Sequence, residues 1–308
     1  MSGDAEMKAI VQTTYNGIDA LQLMTRPDPT LIPLAVKVTS HYTPVMPYDL
    51  LTETGALKMQ RPVHLPMVIG YGFGGVVTEV GQLRKKALLG QRVIGFSLKG
   101  SHQTALASAL PLFSVPQNVS LAAATTLIGG ADAAMMAIRT SRATKDDVIL
   151  VTGASGSVGT YLLQLLHHMG VRVIAMSHSS EQPLLTRLGA DWTLAYDKPL
   201  QQQLTELPPA TKIIDLAGSS QLLDQLSQMG PTAIWSLANP DHVPQSGQSF
   251  TFASGRIRLQ DYHWLLDQLA QGTLQAVIQN TFPFTAVKSA QHELQDKHSH
   301  GRILLNYR

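Results

Sequence analysis

The sequence predicts an α/β protein: a doubly wound parallel sheet beside a smaller, mostly β domain. Three observations carry this. Val148-Ile-Leu-Val151 is an apolar run that leads into glycines at 153, 156 and 159 and then into an apolar helix pattern. Strand and helix patterns alternate through the middle of the chain, as they do where a parallel sheet is covered by helices. The first third is broken by Gly and Pro into short strand patterns.

In chain order, Lys8-Ala-Ile-Val-Gln12 reads as an opening strand, and Leu34-Ala-Val-Lys-Val-Thr39 alternates as a half-buried strand does. The glycine-rich stretch Val68 to Val80 and Gln91-Arg-Val-Ile-Gly-Phe96 read as further strands. Prolines at 27, 29, 33, 44, 47, 62 and 66 exclude long helices there. Beyond Val151, the residues Val158, Leu162, Leu165, Leu166 and Met169 fall on one helical face. Gly170 is placed to end that helix, and Val171-Arg-Val-Ile-Ala-Met176 reads as the next strand, which completes a β–α–β unit. Lys212 to Leu216 and Ala233 to Leu237 read as strands, joined by a helix from Leu222 to Met229 that Gly230-Pro231 ends. The last part holds a helix from Tyr262 to Gln271, a short strand, a second helix and a terminal strand, Arg302-Ile-Leu-Leu305.

Composition narrows the function. The 308 residues are enough for two domains, and 44% hydrophobic content supplies a sizeable core. A net charge of +2 without a basic run argues against nucleic acid or an anionic membrane as partner. There are no cysteines, which excludes disulfides, a thiolate metal site and a cysteine nucleophile. Met1 to Glu6 has no apolar core, no signal peptide is expected, and no apolar run approaches the roughly 18 residues of a membrane helix. The expected location is the cytoplasm.

The strand–glycine–helix order is what a dinucleotide phosphate needs. Glycines allow a tight turn and a close approach of the pyrophosphate, and the helix N-terminus offers free N–H groups. Gly153, Ala154, Ser155, Gly156, Ser157, Val158 and Gly159 are therefore the candidate cofactor loop. An NAD-specific site places a carboxylate about 20 residues on, at the end of the second strand. Here that position is Ser177, followed by His178 and Ser179, and no carboxylate stands at the strand end. Its absence favours NADPH, with the hydroxyls of Ser177 and Ser179 as candidate partners of the 2′-phosphate. His178 and Arg187 are candidate sources of charge. Leu216-Ala217 and Leu237-Ala238 lie at strand C-termini, where open α/β sheets bind ligands.

The order of these parts resembles the medium-chain dehydrogenase/reductase superfamily, in its zinc-independent quinone oxidoreductase branch, over essentially the whole chain from Met7. The resemblance rests on Met7-Lys-Ala-Ile-Val, Pro44-Val-Met-Pro-Tyr-Asp49, Gly70 to Gly81, Gly90-Gln-Arg-Val, the loop Gly153 to Gly159, Leu188-Gly-Ala-Asp191 with Tyr196, and His300-Gly-Arg-Ile-Leu304. It implies a GroES-like domain over 1–117, a Rossmann domain over 118–253 and a return to the first domain over 254–308. It also implies a cofactor cleft between domains, a homodimer, and hydride transfer to a quinone or another α,β-unsaturated carbonyl. Tyr196 matches a phosphate contact, and Phe252 a segment near the nicotinamide.

Departures from the family pattern bear on the chemistry. Tyr71 and Gly72 replace the His and Glu of zinc-dependent relatives, and no metal ligands are expected. The resemblance puts Met46, Tyr48, Asp49, Ile128 and Ala133 at the reacting end. Met46 replaces an Asn, and Ala133 a Thr, or Asp132 does so if the alignment slips by one. Tyr48 and Tyr71 are candidate proton donors, each with the alternative of a packed aromatic. The competing reading is a nucleotide-binding redox sensor or structural protein with little turnover.

Overall fold

The computed structural model describes residues 6–59, 62–227, 233–253, 255, 257–296 and 299–307. Its centre is a six-stranded parallel sheet. Numbered from Val148–Val151, the strands run in the order 3-2-1-4-5-6: Trp192–Ala195, Arg172–Ser177, Val148–Val151, Lys212–Asp215, Ala233–Ser236 and Ser249–Phe252. The order reverses beside Val148–Val151, which is where such a sheet opens a crevice for a ligand. The strand is apolar at every position because both faces are covered. Ile149 and Val151 pack with the helices Leu121–Thr126, Ala131–Ser141, Ser157–His168 and Asp261–Gln271, while Val148 and Leu150 pack with Leu204, Leu223 and Leu226 on the other face.

The helix Ser157–His168 buries Tyr161, Leu162, Leu163, Leu165 and Leu166. Each is worth roughly 1.5–3 kcal/mol by its burial. Met169, expected on that face, is 42% exposed. The helix ends at His168 with Met169 as its C-cap, and Gly170 at φ 71° turns the chain away directly after it. The expected helix from Leu222 is observed as Ser220–Ser227; Met229, Gly230 and Pro231 lie outside the described residues.

The remaining strands form two sheets. Glu6–Gln12 pairs antiparallel with Leu21–Pro27 and with Met67–Val68. A seven-stranded sheet is built around Val36–Pro44, which pairs with Gly72–Val80, with Ala105–Ser108 and with the terminal strand Arg302–Asn306. The expected single strand over 68–80 is thus divided between two sheets by a turn at Gly70-Tyr71. The last strand runs parallel to Ile278–Pro283. It therefore carries the chain's end back from the parallel sheet to the strands of the first third.

One sequence expectation changes here. Leu121–Ser141 is long and apolar enough to pass for a membrane helix, but two helices interrupted by Gly129-Gly130 make up this stretch, and 61% of it is buried in the core.

Candidate active site

The glycine loop is shaped by its first residue. Gly153 has φ 60°, and a Cβ there would meet the Leu216 carbonyl carbon at 3.1 Å. Only glycine combines that conformation with that approach. Ala154 N donates to Met176 O at 3.0 Å, so Ala154 is tucked against the neighbouring strand. The first helical bond runs from Thr160 N to Gly156 O at 2.9 Å. The N–H groups of Ser157, Val158 and Gly159 thus occupy the first turn, where a helix offers no internal acceptors. The Ser157 hydroxyl is buried and has no partner among the described residues.

A 390 Å3 cleft opens over this turn, between the parallel sheet and the terminal strand. Of the predicted cofactor residues, Gly153, Ser155, Gly156, Ser157, Val158, Gly159, Ser177, Tyr196, Leu216 and Ala217 line it. Val45, Pro47, Gly129, Ser299, Gly301 and Arg302 form the facing wall. Gly301 N donates to Ser155 O at 2.7 Å, which ties that wall to the loop. Ala154, His178, Ser179, Leu237, Ala238 and Phe252 do not line the cavity, His178 and Ser179 following directly on the lining residue Ser177. Ala238 packs on Gly218, and Phe252 is on the edge strand, 40% exposed.

Asp215 holds the cleft floor and was not singled out by the sequence. Fully buried, its carboxylate accepts from Thr152 Oγ1 and Ser236 Oγ, each at 2.6 Å, and from the Ala217 and Gly218 N–H groups at 3.2 Å. It thereby joins the ends of three adjacent strands. An aspartate closing the apolar strand Lys212-Ile-Ile-Asp215 is the signal that could have found it.

At the far end the structure corrects one expectation. Ser177 pairs in register with Ala195, and Tyr196 N donates to Ser177 O at 3.1 Å. The residues that follow the second and third strands therefore leave the sheet side by side. This brings Asp197 onto Ser179, whose N–H and O–H both donate to the carboxylate at 2.7 Å. A carboxylate does stand at this strand end, supplied by the next strand. The Ser177 hydroxyl donates to His178 O at 3.1 Å, and His178 Nε2 lies 3.6 Å from Asp197. Nearby, Glu181 contacts the His300 imidazole.

The opposite end gathers around Gly129. A Cβ there would lie 2.7 Å from Met46 Sδ, 3.3 Å from the Tyr71 hydroxyl and 3.4 Å from Arg302 Nη2. Met46 is buried, and its N–H donates to Asp49 Oδ2 at 3.0 Å, so Asp49 fixes the start of the helix Pro47–Glu53. Tyr48 stands edge-on to Tyr71, with ring centroids 6.0 Å apart. Tyr48 and Asp49 line a small separate cavity with Tyr71. Burial, and then the charges of Asp132 and Asp49, push the Tyr71 phenol well above its ordinary value, so it is a neutral donor. Ile128 is fully buried against Gly72. Asp132 does not face the cleft. It accepts from Tyr262 and from the Gly129 and Ala133 N–H groups, and burial pushes its carboxyl up against those bonds.

Arg302 is the second residue missed as a site. Its guanidinium is buried, donates to Val45 O and Ile128 O at 3.3 Å each, and keeps a buried Nε with no partner among the described residues. Burial lowers its pKa, while Tyr71 and Asp132 raise it. A lone cation between Gly301 and an apolar strand is a signal visible in the sequence.

The comparisons with known proteins agree with this layout. The model of the NAD dependent epimerase/dehydratase family matches residues 149–253, the parallel sheet alone. The chain is 28% identical to an Arabidopsis thaliana NADPH-dependent alkenal/one oxidoreductase over 97% of its own length and 79% of that protein. It is 26% identical to 2-methylene-furan-3-one reductase of Solanum lycopersicum, over 98% of its length and 79% of that protein. The match thus spans all three sheets. Over nearly its whole length the chain is thus similar to alkenal/one and furanone reductases. As a fold, the chain superimposes on the quinone oxidoreductase of Coxiella burnetii with a TM-score of 0.83 at 22% identity, covering 99% of this chain and 100% of that one.

Proposed function

We propose that this chain is an NADPH-dependent, zinc-independent reductase that delivers hydride to a quinone or another α,β-unsaturated carbonyl. The observation that carries it is the convergence of unsatisfied donors on one cleft. Ser157, Val158 and Gly159 of the first helical turn, with the buried unpartnered Ser157 hydroxyl, line it together with Arg302, whose buried Nε also has no partner among the described residues, and a dinucleotide diphosphate matches that donor set. NADPH, when bound, supplies the hydride. The chain's residues hold, orient and protonate. Ser155 to Gly159 and Arg302 take the diphosphate, Leu216 and Ala217 form the wall beside it, and Ser177, His178, Ser179 and Tyr196 face the adenosine ribose.

Met46, Tyr48 and Tyr71 bound the acceptor. Asp49 acts as a positioning residue through the helix it caps. The Tyr71 hydroxyl is the donor for the acceptor's oxygen. Zinc plays no part in this reading, because Tyr71 and Gly72 leave no ligand at those positions and the chain has no thiolate. The relatives named for alkenals and a furanone support an α,β-unsaturated acceptor. The test is loss of nicotinamide absorbance when purified protein meets NADPH and a panel of quinones and enones. Binding of NADPH with no turnover on any acceptor refutes the enzyme reading in favour of a sensor.

The same reading divides the chain into 1–117, 118–253 and 254–308 and places it in the cytoplasm. It also makes the protein a homodimer joined at Ser249–Phe252, an edge strand whose backbone is exposed to pairing. A monomeric mass by light scattering at micromolar concentration refutes the dimer.

A further inference from the structure

We propose that Asp197 is an internal competitor for the cofactor's 2′-phosphate and thereby sets how far the site prefers NADPH over NADH. The inference rests on the cofactor reading above. The adenosine ribose of a dinucleotide falls at the end of the second strand, here Ser177. The donors at that strand end are already engaged. Ser179 gives both its N–H and its O–H to Asp197, one to each carboxylate oxygen at 2.7 Å. The Ser177 hydroxyl is turned to the His178 carbonyl. The Asp197 carboxylate thus holds two donors in the way a phosphate would hold them.

The charge of Asp197 is maintained in this setting. Its hydrogen bonds to Ser179 keep the carboxyl below the usual carboxylate range. A phosphate entering here meets that negative charge, with Glu181 nearby engaged by His300. It gains Ser179 only once Asp197 lets go. The side chain is 23% exposed, so water can receive it when it swings out. NADH asks for no such exchange. A carboxylate beside the ribose accepts from its hydroxyls, as the acidic residue of NAD-specific sites does. The carboxylate therefore narrows the site's preference for NADPH over NADH without supplying it.

The test is direct binding of each reduced nucleotide, read by nicotinamide fluorescence, to the wild type, Asp197→Asn and Asp197→Glu. Asp197→Asn is expected to tighten NADPH by about tenfold, the effect of removing one unit charge beside a phosphate near the surface, and to leave NADH unchanged or weaker. Asp197→Glu keeps the wild-type ratio. An Asp197→Asn protein that binds both nucleotides with the wild-type ratio overturns the inference and leaves the cofactor reading standing. A wild type that binds neither nucleotide overturns that reading itself.

Discussion

Replacing Glu53 by glutamine is expected to stabilise the protein by about 3 kcal/mol at pH 7 and to flatten its pH dependence. Glu53 ends the helix Pro47–Glu53 and is fully buried. Its Oε1 accepts from Gln291 Nε2 at 2.7 Å, and Oε2 has no partner among the described residues. Burial, partly offset by that bond and reinforced by the charge of Asp49, pushes the carboxyl up from 4.5 to about 8. The sign follows. Below pH 4.5 both folded and unfolded chains hold the proton, and the contribution of the neutral acid is complete. Between 4.5 and about 8 the unfolded chain loses the proton while the folded one keeps it. Stability then falls by about 1.4 kcal/mol per pH unit, which reaches about 3 kcal/mol at pH 7 and about 5 above pH 8. Glutamine has no proton to lose. Gln291, which bonds Glu53 Oε1, and Gln12, whose Nε2 donates to Glu53 O at 3.4 Å, each keep a buried Oε1 without a partner among the described residues. The assay is urea unfolding of both proteins at pH 5, 7 and 9. Equal pH slopes, or a less stable variant at pH 9, refute the reasoning.

Other perturbations separate the parts of the cleft. Gly156→Val places a Cβ 3.2 Å from Gly153 O and 3.6 Å from Ser299 Cβ, in the path of the diphosphate. It should abolish binding of both nucleotides, measured by fluorescence, and retained binding refutes the loop assignment. Arg302→Met removes the charged hydrogen-bond donor, worth about 1.5–3 kcal/mol, and should weaken NADPH and NADH equally. Unchanged affinity by calorimetry reduces Arg302 to a tie between Val45 and Ile128. Tyr71→Phe should lower kcat on enones by roughly 100-fold at unchanged NADPH affinity, the usual weight of a positioned acid. Wild-type kcat would make Tyr71 a packed aromatic only.

The glycine loop was legible because everything that shapes it is local. Gly153 needs its φ, the first helical turn follows within four residues, and Val148–Val151 alternates between two apolar layers. Asp197 was not legible, because its place depends on a pairing between separate strands, Ser177 with Ala195. A search along the second strand alone finds serines and stops. Arg302 was hidden differently. The sequence showed a cation in an apolar strand, but only the antiparallel pairing of Leu304 with Pro44 turns it under Val45 and Gly129. Asp132 shows the limit of alignment: its position matched a cleft residue, yet the nearby Tyr262 hydroxyl draws its carboxylate into the core.

Two of the three residues that the sequence did not single out, Arg302 and Asp197, divide the cleft electrically. Arg302 is anchored to the terminal strand and to carbonyls on Val45 and Ile128, so its charge cannot leave the cleft without breaking the wall. Asp197 is held by Ser179, with the His178 imidazole 3.6 Å away, and is partly exposed, so its charge can leave. On the proposed reading, the fixed cation serves the part that NADPH and NADH share, the diphosphate. The movable anion stands at the one place where they differ. Affinity and selectivity are on that reading assigned to separate residues, and a change at one should leave the other's effect intact. Combined substitution at Asp197 and Arg302 should accordingly be additive in binding free energy, as expected of sites without a shared partner.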